Sequence, residues 1–237
     1  MEAELNNILV TGATRGVGEA LSLRFAGQGR KVFALARTSE QLDSLVERGG
    51  SNILPFAVDI SDRDAVGVAV NEIESAHGGI DVLINNAGIV QNINFAEQSF
   101  DMMERIIDVN LKGTLYCTRH TVPFMIQRKR GRIINISSVA GVRGIPGQAA
   151  YCASKHGMNG FADALAQELM PHGIVVSSIC PGGIDTPLWD KEKNPYPGDI
   201  EKVIKPGEIV DMVEFLLKQP SGTMYKRIVV FPTNEWH

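Results

Sequence analysis

Tyr151 and Lys155 stand one helical turn apart in Tyr151-Cys152-Ala153-Ser154-Lys155, and Ser138 precedes them at the end of Arg132-Ile-Ile-Asn-Ile-Ser-Ser138. On a helix, that spacing puts phenol and ammonium on one face, with side-chain roots ~5–6 Å apart. A free tyrosine titrates near ~10, too high for efficient proton exchange at neutral pH. A lysine charge ~5 Å away at an effective dielectric of ~20 is worth ~3 kcal/mol, which shifts the phenol by about two pKa units toward phenolate. Ser138 is placed to give the same oxygen a second hydrogen bond. The three residues read as a device that protonates or deprotonates a carbonyl or alcohol oxygen. A Tyr-x-x-x-Lys spacing also arises by chance in many helices, so the elements that position it must decide.

Asn7-Ile-Leu-Val10 reads as a short apolar strand that runs into Thr11-Gly-Ala-Thr-Arg-Gly-Val-Gly18 and then a helical pattern with Leu21 and Phe25. Glycines at a strand-to-helix turn permit positive φ and close backbone approach, and the free N–H groups of the helix start attract a pyrophosphate. Lys31–Ala36 is the second strand, with Arg37 at its end. In a dinucleotide fold that position faces the adenosine ribose, where an acid suits a 2′-hydroxyl and an arginine a 2′-phosphate. The acid is absent. Arg37 and Arg15 supply two guanidinium groups, and each charge-assisted bond contributes ~1.5–3 kcal/mol, so NADP(H) is favoured over NAD(H). Two solvated surface arginines are the plainer alternative.

The alternation continues. Thr38-Ser-Glu-Gln41 resembles a capping box, Ile53–Val58 is a third strand ending at Asp59, and Ser61-Asp-Arg-Asp64 opens a helix to about His77. Asp59 has two readings, an acid that meets an adenine edge or an ordinary residue of the turn before a helix. Asp81–Ile84 is a fourth strand leading to Asn85-Asn-Ala-Gly88, small and amide residues that suit a ligand crevice or satisfy neighbouring backbone. One long helix is expected from about Phe100 to Arg128; within it Asn110 reads most simply as a polar residue bonding its own backbone. The Ser138 strand, the helix from Tyr151 to Leu169 and the strand Gly173–Cys180 follow, and Pro181-Gly-Gly-Ile-Asp-Thr186 is another strand-end loop. Residues 187–206 are polar and broken by proline, which suits either a substrate lid or a surface connection. A helix over Glu208–Lys218 and a strand over Arg227–Phe231 complete one domain, residues 1–237.

The 237 residues carry a net charge of −4 and no charge block, which points away from nucleic acid and membrane surfaces and toward a small soluble partner. The acidic start Met1-Glu-Ala-Glu is unlike a secretory or mitochondrial signal, and no apolar run approaches the ~18 residues of a membrane span. Cys117, Cys152 and Cys180 are far apart and odd in number, and no histidine shows metal-ligand spacing, so a reducing cytoplasm and no metal are expected.

Thr11-Gly-x-x-x-Gly-x-Gly18, Asn85-Asn-Ala-Gly88, Asn110, Ser138, Tyr151-x-x-x-Lys155 and Pro181-Gly182, in this order and at these spacings, resemble the short-chain dehydrogenase/reductase family from Asn7 to about Pro232. The resemblance implies one α/β Rossmann-type, doubly wound, seven-stranded parallel sheet of order 3-2-1-4-5-6-7 with helices on both faces. By position it implies Tyr151 as acid and base, Ser138 on the substrate oxygen, Lys155 on the nicotinamide ribose, and Asn110 holding a water that links Lys155 to solvent. Gly12, Thr14, Arg15, Gly16, Val17 and Gly18 would line the phosphates, and Asp59 and Ile60 the adenine. Asn86, Ala87 and Gly88 would border the adenosine and ribose portions; Pro181, Gly182, Ile184 and Thr186 would approach the nicotinamide. The expected substrate side is mostly apolar, from Val142, Ile145, Gly183, Leu188 and Trp189 with Gln148, while Arg143 faces either a carboxylate or solvent.

The reaction implied is NADP(H)-dependent interconversion of a carbonyl and a secondary alcohol, on a small ketone, β-keto ester or β-hydroxy acid. Many relatives are tetramers built through the two long helices, so a homo-oligomer is expected, a tetramer or a dimer. The tail Phe231-Pro-Thr-Asn-Glu-Trp-His237 lacks the glycine-rich ending of many ketoacyl reductases, and Glu208–Pro232 is more similar to serine and hydroxy-acid dehydrogenases. A 3-ketoacyl reductase and a non-catalytic NADP-binding regulator are the alternatives.

Overall fold

Ile8, Val10, Val32 and Ala34 fall in one buried apolar cluster, while Leu9, Phe33 and Leu35 fall in another. Successive residues of a strand point to opposite faces, so these strands are buried on both sides and must be sandwiched by helices. The computed structural model shows this arrangement for residues 5–190, 192, 194–196 and 198–233. Residues 1–4 of the acidic start, residues 191, 193 and 197 of the expected lid and residues 234–237 of the tail lie outside the described residues.

Strands β1 (Asn7–Thr11), β2 (Lys31–Ala36), β3 (Ile53–Ala57), β4 (Val82–Asn85), β5 (Gly131–Ile136), β6 (Ile174–Pro181) and β7 (Arg227–Val230) form one sheet of order β3-β2-β1-β4-β5-β6-β7. Every pairing is parallel, with Ile8 opposite both Val32 and Val82. One face is covered by α1 (Gly16–Gly27), α2 (Ser39–Gly49) and α7 (Pro206–Leu217) through Leu21, Phe25, Leu42, Leu45 and Val213. The other is covered by α3 (Arg63–Ala76), α5 (Gly113–Arg128) and α6 (Ala149–Leu169) through Val66, Ile73, Cys117, Met125 and Leu165. None of the described helices is long and apolar enough to cross a membrane.

Strand order reverses between β1 and β4, and open parallel sheets bind ligands outside the carboxyl ends at such a point. Thr11, Asn85, Ile136 and Pro181, the last residues of β1, β4, β5 and β6, converge there.

Two local expectations differ from the structure. The single helix expected over Phe100–Arg128 is α4 (Phe100–Ile107), then a wider π turn over Asp108–Lys112, then α5. The chain stays helical through such a turn, so no break in helix-forming residues marks it in the sequence. The capping box at Thr38 is also absent: Thr38 makes no side-chain cap, and Gln41 instead accepts a hydrogen bond from Thr14 at 3.1 Å.

Candidate active site

The turn after β1 is shaped by two glycines that no other residue replaces without strain. Gly12 has φ +64° and a Cβ there would lie 2.9 Å from the Ala87 backbone; Gly16 has φ +57° and a Cβ there would lie 3.1 Å from Thr186. Arg15 is the extended residue before α1, so the N–H groups of Gly16, Val17 and Gly18 begin the helix without intrahelical partners, a ready site for a pyrophosphate. Asn86 ties this turn to the end of β4, donating to the Thr11 and Gly12 carbonyls at 3.0 and 3.2 Å.

From this turn a cleft of about 550 Å³ runs along the carboxyl edge of the sheet. Gly12, Thr14, Arg15, Gly16, Val17, Arg37, Asp59 and Ile60 line one end. Asn86, Ala87 and Gly88 line the middle, and Pro181, Gly182, Ile184 and Thr186 lie across from them. Ser138, Gln148, Tyr151, Lys155, Gly183, Leu188 and Trp189 complete it. Gly18, Asn110 and Val142 do not line it. Gly18 packs beneath the turn, Asn110 is fully buried, and Val142 is exposed to solvent. Arg143 and Ile145 do line it.

A dinucleotide fits this lining. The adenosine end carries the exposed guanidinium groups of Arg15 and Arg37 and no acid at the end of β2. Asp59 is engaged by a residue that sequence reading does not single out: Arg105 of α4 donates to its carboxylate at 2.6 Å, while Ser61 donates to its other oxygen through both backbone and hydroxyl. Burial pushes the Asp59 carboxyl up, but the bonds from Arg105 and Ser61 outweigh it and hold the pKa at about 2. Arg105 is distant in sequence from Asp59, and no local motif signals the pair.

At the other end, β5 delivers Ser138 and the first turn of α6 delivers Tyr151. Ser138 accepts from the Ala140 N–H at 3.1 Å, which fixes its hydroxyl, and it hydrogen-bonds with the Tyr151 hydroxyl. Lys155 lies one turn further along, its Nζ 5.8 Å from the centre of the Tyr151 ring, and it donates to the Ile136 carbonyl at 2.9 Å.

The Tyr151 phenol is not lowered as its spacing to Lys155 implies. Burial pushes the Tyr151 phenol up to about 12 despite the bond from Ser138, and burial pushes the Lys155 ammonium down to about 8. Desolvation penalises both charged forms, and sequence spacing carries no information about desolvation. At neutral pH the phenol is therefore protonated, beside a cation that remains mostly charged.

Asn110 sits in the π turn, and its side chain bonds a different loop rather than its own backbone. It accepts from the Ile89 N–H at 2.8 Å and donates to the Ile89 carbonyl and the Ser154 hydroxyl at 2.9 and 3.1 Å. The loop after β4 is thereby joined to α6 directly behind Lys155.

The segment after β6 closes over this end. Trp189 and Tyr196 pack edge to face with ring centres 5.0 Å apart, and Asn194 donates to the carbonyls of Val90 and Leu188. Tyr196 lines the cleft and is missed by sequence reading, because proline-broken segments have no periodicity from which to infer facing.

Comparison with known proteins agrees with this geometry. A family model described as short chain dehydrogenase matches residues 6–196. A 3-oxoacyl-(acyl-carrier-protein) reductase of Thermotoga maritima is 35% identical over 238 residues, covering 97% of each chain. Among solved structures, serine dehydrogenase from Escherichia coli is 29% identical with a TM-score of 0.86, covering 97% of this chain and 99% of that one. A metagenomic short-chain oxidoreductase in complex with NADP is 33% identical with a TM-score of 0.83, covering 96% and 97%. With a glycine turn, an Asn110–Ser138–Tyr151–Lys155 set and a seven-stranded parallel sheet in the order above, the chain belongs to the short-chain dehydrogenase family.

Proposed function

We propose that this chain is an NADP(H)-dependent oxidoreductase interconverting a carbonyl and a secondary alcohol, with Tyr151 as acid and base. The substrate is a small ketone, β-keto ester or β-hydroxy acid. The observation that carries the reading is the buried Tyr151 hydroxyl, hydrogen-bonded with Ser138 in the same cleft as the glycine turn and the two adenosine-end arginines. NADPH bound along that cleft supplies the hydride. Tyr151, held protonated by burial, passes its proton to the substrate oxygen and recovers it in the oxidising direction. Ser138 donates to the same oxygen and stabilises the charge that develops there. Lys155 orients the ribose and favours the phenolate when it forms, and Asn110 holds the water route behind it. The turn residues Gly12 to Gly18 hold the pyrophosphate, Asp59 and Ile60 the adenine, Asn86, Ala87 and Gly88 the adenosine and ribose portions, and Pro181 to Thr186 the nicotinamide side. Residues 187–206 act as the lid.

The test is NADPH consumption, with NADH in parallel, over small ketones, β-keto esters, β-keto acids and quinones at equal concentration. Turnover of one class with NADPH is expected; silence across the panel from protein that binds NADPH would sink the catalytic reading. A 3-oxoacyl thioester is the second reading, favoured by the full-length Thermotoga relative. Cofactor choice is checked separately. Arg37→Asp removes a charge-assisted contact and adds repulsion, so NADPH affinity should fall by ~10-fold or more, with NADH affected much less. Equal losses in fluorescence titrations would remove Arg37 from 2′-phosphate recognition.

A single domain and a cytoplasmic homo-oligomer, tetramer or dimer, complete the reading. Support for a reducing compartment comes from Cys117, Cys152 and Cys180, all free and buried. Support for assembly comes from large apolar side chains left exposed in two places, Phe95 and Phe100 at α4 and Phe215, Tyr225 and Val229 around α7 and the edge strand β7.

A further inference from the structure

We infer that Arg105 is a positioning residue for the cofactor: it aims the Asp59 carboxylate so that the cleft selects a base carrying a 6-amino group, adenine, over a 6-oxo purine. The inference rests on the NADP(H) reading of the cleft, with the adenine at its Asp59 end. Asp59 is the one carboxylate lining that cleft among the described residues, whereas Arg105 does not line it. The influence of Arg105 on a bound base therefore passes through the carboxylate it holds.

That carboxylate is locked from two sides. Arg105 donates from Nη2 to Asp59 Oδ2 at 2.6 Å and from Nη1 to the Ser61 hydroxyl at 2.9 Å. The same hydroxyl donates on to Asp59 Oδ1 at 2.7 Å, and the Ser61 N–H reaches that oxygen at 2.9 Å. The planar fork of an arginine closes this ring of hydrogen bonds, which the point charge of a lysine would leave open. An ionised carboxylate offers about four acceptor positions and no donor. Two positions on Oδ1 and one on Oδ2 are filled within the ring. The position left over is on the oxygen that Arg105 fixes. It suits a donor such as the adenine 6-amino group and repels the lone pairs of a 6-oxo group. Arg105 is itself well seated. Ser99 caps α4 by accepting from the Met102 N–H at 3.3 Å, and Ile106, the next residue, is fully buried with Ala140, Ala150, Tyr151 and Cys152. α4 is thus packed at the reaction end of the cleft while Arg105 reaches across to the adenosine end.

The test is fluorescence titration of the full chain with NADPH and with the analogue in which hypoxanthine replaces adenine. Wild type should bind NADPH more tightly than the analogue by about tenfold or more, as expected for a hydrogen bond to a charged acceptor. Arg105→Met should lower that preference by about fivefold or more, and Arg105→Lys, which keeps the charge and loses the fork, should fall between. Asp59→Asn should remove most of the preference. Adding Arg105→Met to it should then change the ratio by less than about twofold, because a residue that acts through another adds nothing once its partner is gone. A merely structural role would weaken both cofactors alike and leave the ratio where it was. The inference is overturned by a wild type that binds the two cofactors equally, by a ratio that Arg105→Met leaves unchanged, or by a clear further fall in the double variant. In each of these cases NADPH is bound and the NADP(H) reading stands. Failure of the wild type to bind NADPH overturns that reading and the inference with it.

Discussion

Tyr151→Phe should lower turnover by ~10³-fold or more while leaving NADPH affinity within about threefold, because general acid–base catalysis by one positioned group is worth ~10²–10⁴ in rate. The substitution deletes one oxygen and leaves the ring, which is 8% exposed and packed with Ile106, Ala140, Ala150 and Cys152. Ser138 keeps its bond from the Ala140 N–H, so its hydroxyl stays placed to hold a substrate oxygen that no longer receives a proton. A rate loss of that size corresponds to ~4 kcal/mol of barrier. The lost bond to Ser138 should lower stability by only ~1 kcal/mol, so the effect separates cleanly from unfolding. Single-turnover NADPH oxidation and fluorescence titration, run side by side, check both halves. Near-normal turnover would remove Tyr151 from the chemistry, and a parallel collapse of NADPH binding would recast it as a packing residue.

The pH dependence belongs to the same experiment. With the phenol at about 12, Tyr151 remains protonated through neutrality, so the reducing direction does not lose its proton donor there. The oxidising direction needs the phenolate, whose population rises tenfold per pH unit below the phenol pKa. Oxidation by wild type should therefore climb with pH, and the residual rate of the Phe variant should not.

The sheet was legible because its signal is local. Runs such as Ile8-Leu-Val10 and Ile174-Val-Val are short, apolar on every residue and bounded by turn formers, the mark of strands covered on both faces. Their observed ends, such as Ile53–Ala57 in place of Ile53–Val58, moved by a residue or so, as strand ends do. The glycine turn was legible for the same reason, since backbone φ and close approach restrict which residues fit.

What escaped depends on partners distant in the chain. Arg105 reaches Asp59 only because α4 folds back over the end of β3, and Arg143 is stacked only because β7 brings Phe231 beside it. Gln41 is drawn from an expected cap to Thr14 by the packing of α2 against the glycine turn. The sign of the Tyr151 shift escaped for a different reason. The spacing to Lys155 was available, but the dehydration that outweighs it is a property of the whole fold.

Gly18→Ala should cost the protein both stability and cofactor, although alanine is the better helix former by ~1 kcal/mol. Gly18 lies in the first turn of α1, where a Cβ would come within 2.1 Å of the Gly12 carbonyl oxygen and 2.6 Å of Asn86 Nδ2. The first of these is backbone and cannot swing aside. Gly12 itself is wedged against Ala87, and its carbonyl accepts from Asn86, so relief requires moving the whole turn or the start of α1. Overpacking of this kind costs ~1–3 kcal/mol or more, which exceeds the helical gain. Displacing the N–H groups of the helix start should weaken NADPH by ~100-fold, or ~2.7 kcal/mol. Gly27, at the other end of the same helix, has nothing within 4 Å of its would-be Cβ, so Gly27→Ala makes the identical chemical change without the collision. Thermal melts and fluorescence titrations should place the two variants on opposite sides of wild type in stability and separate them widely in NADPH affinity. If Gly18→Ala melts and binds like Gly27→Ala, the turn is softer than its contacts imply, and the close approach of α1 to β1 is not what holds the phosphate site.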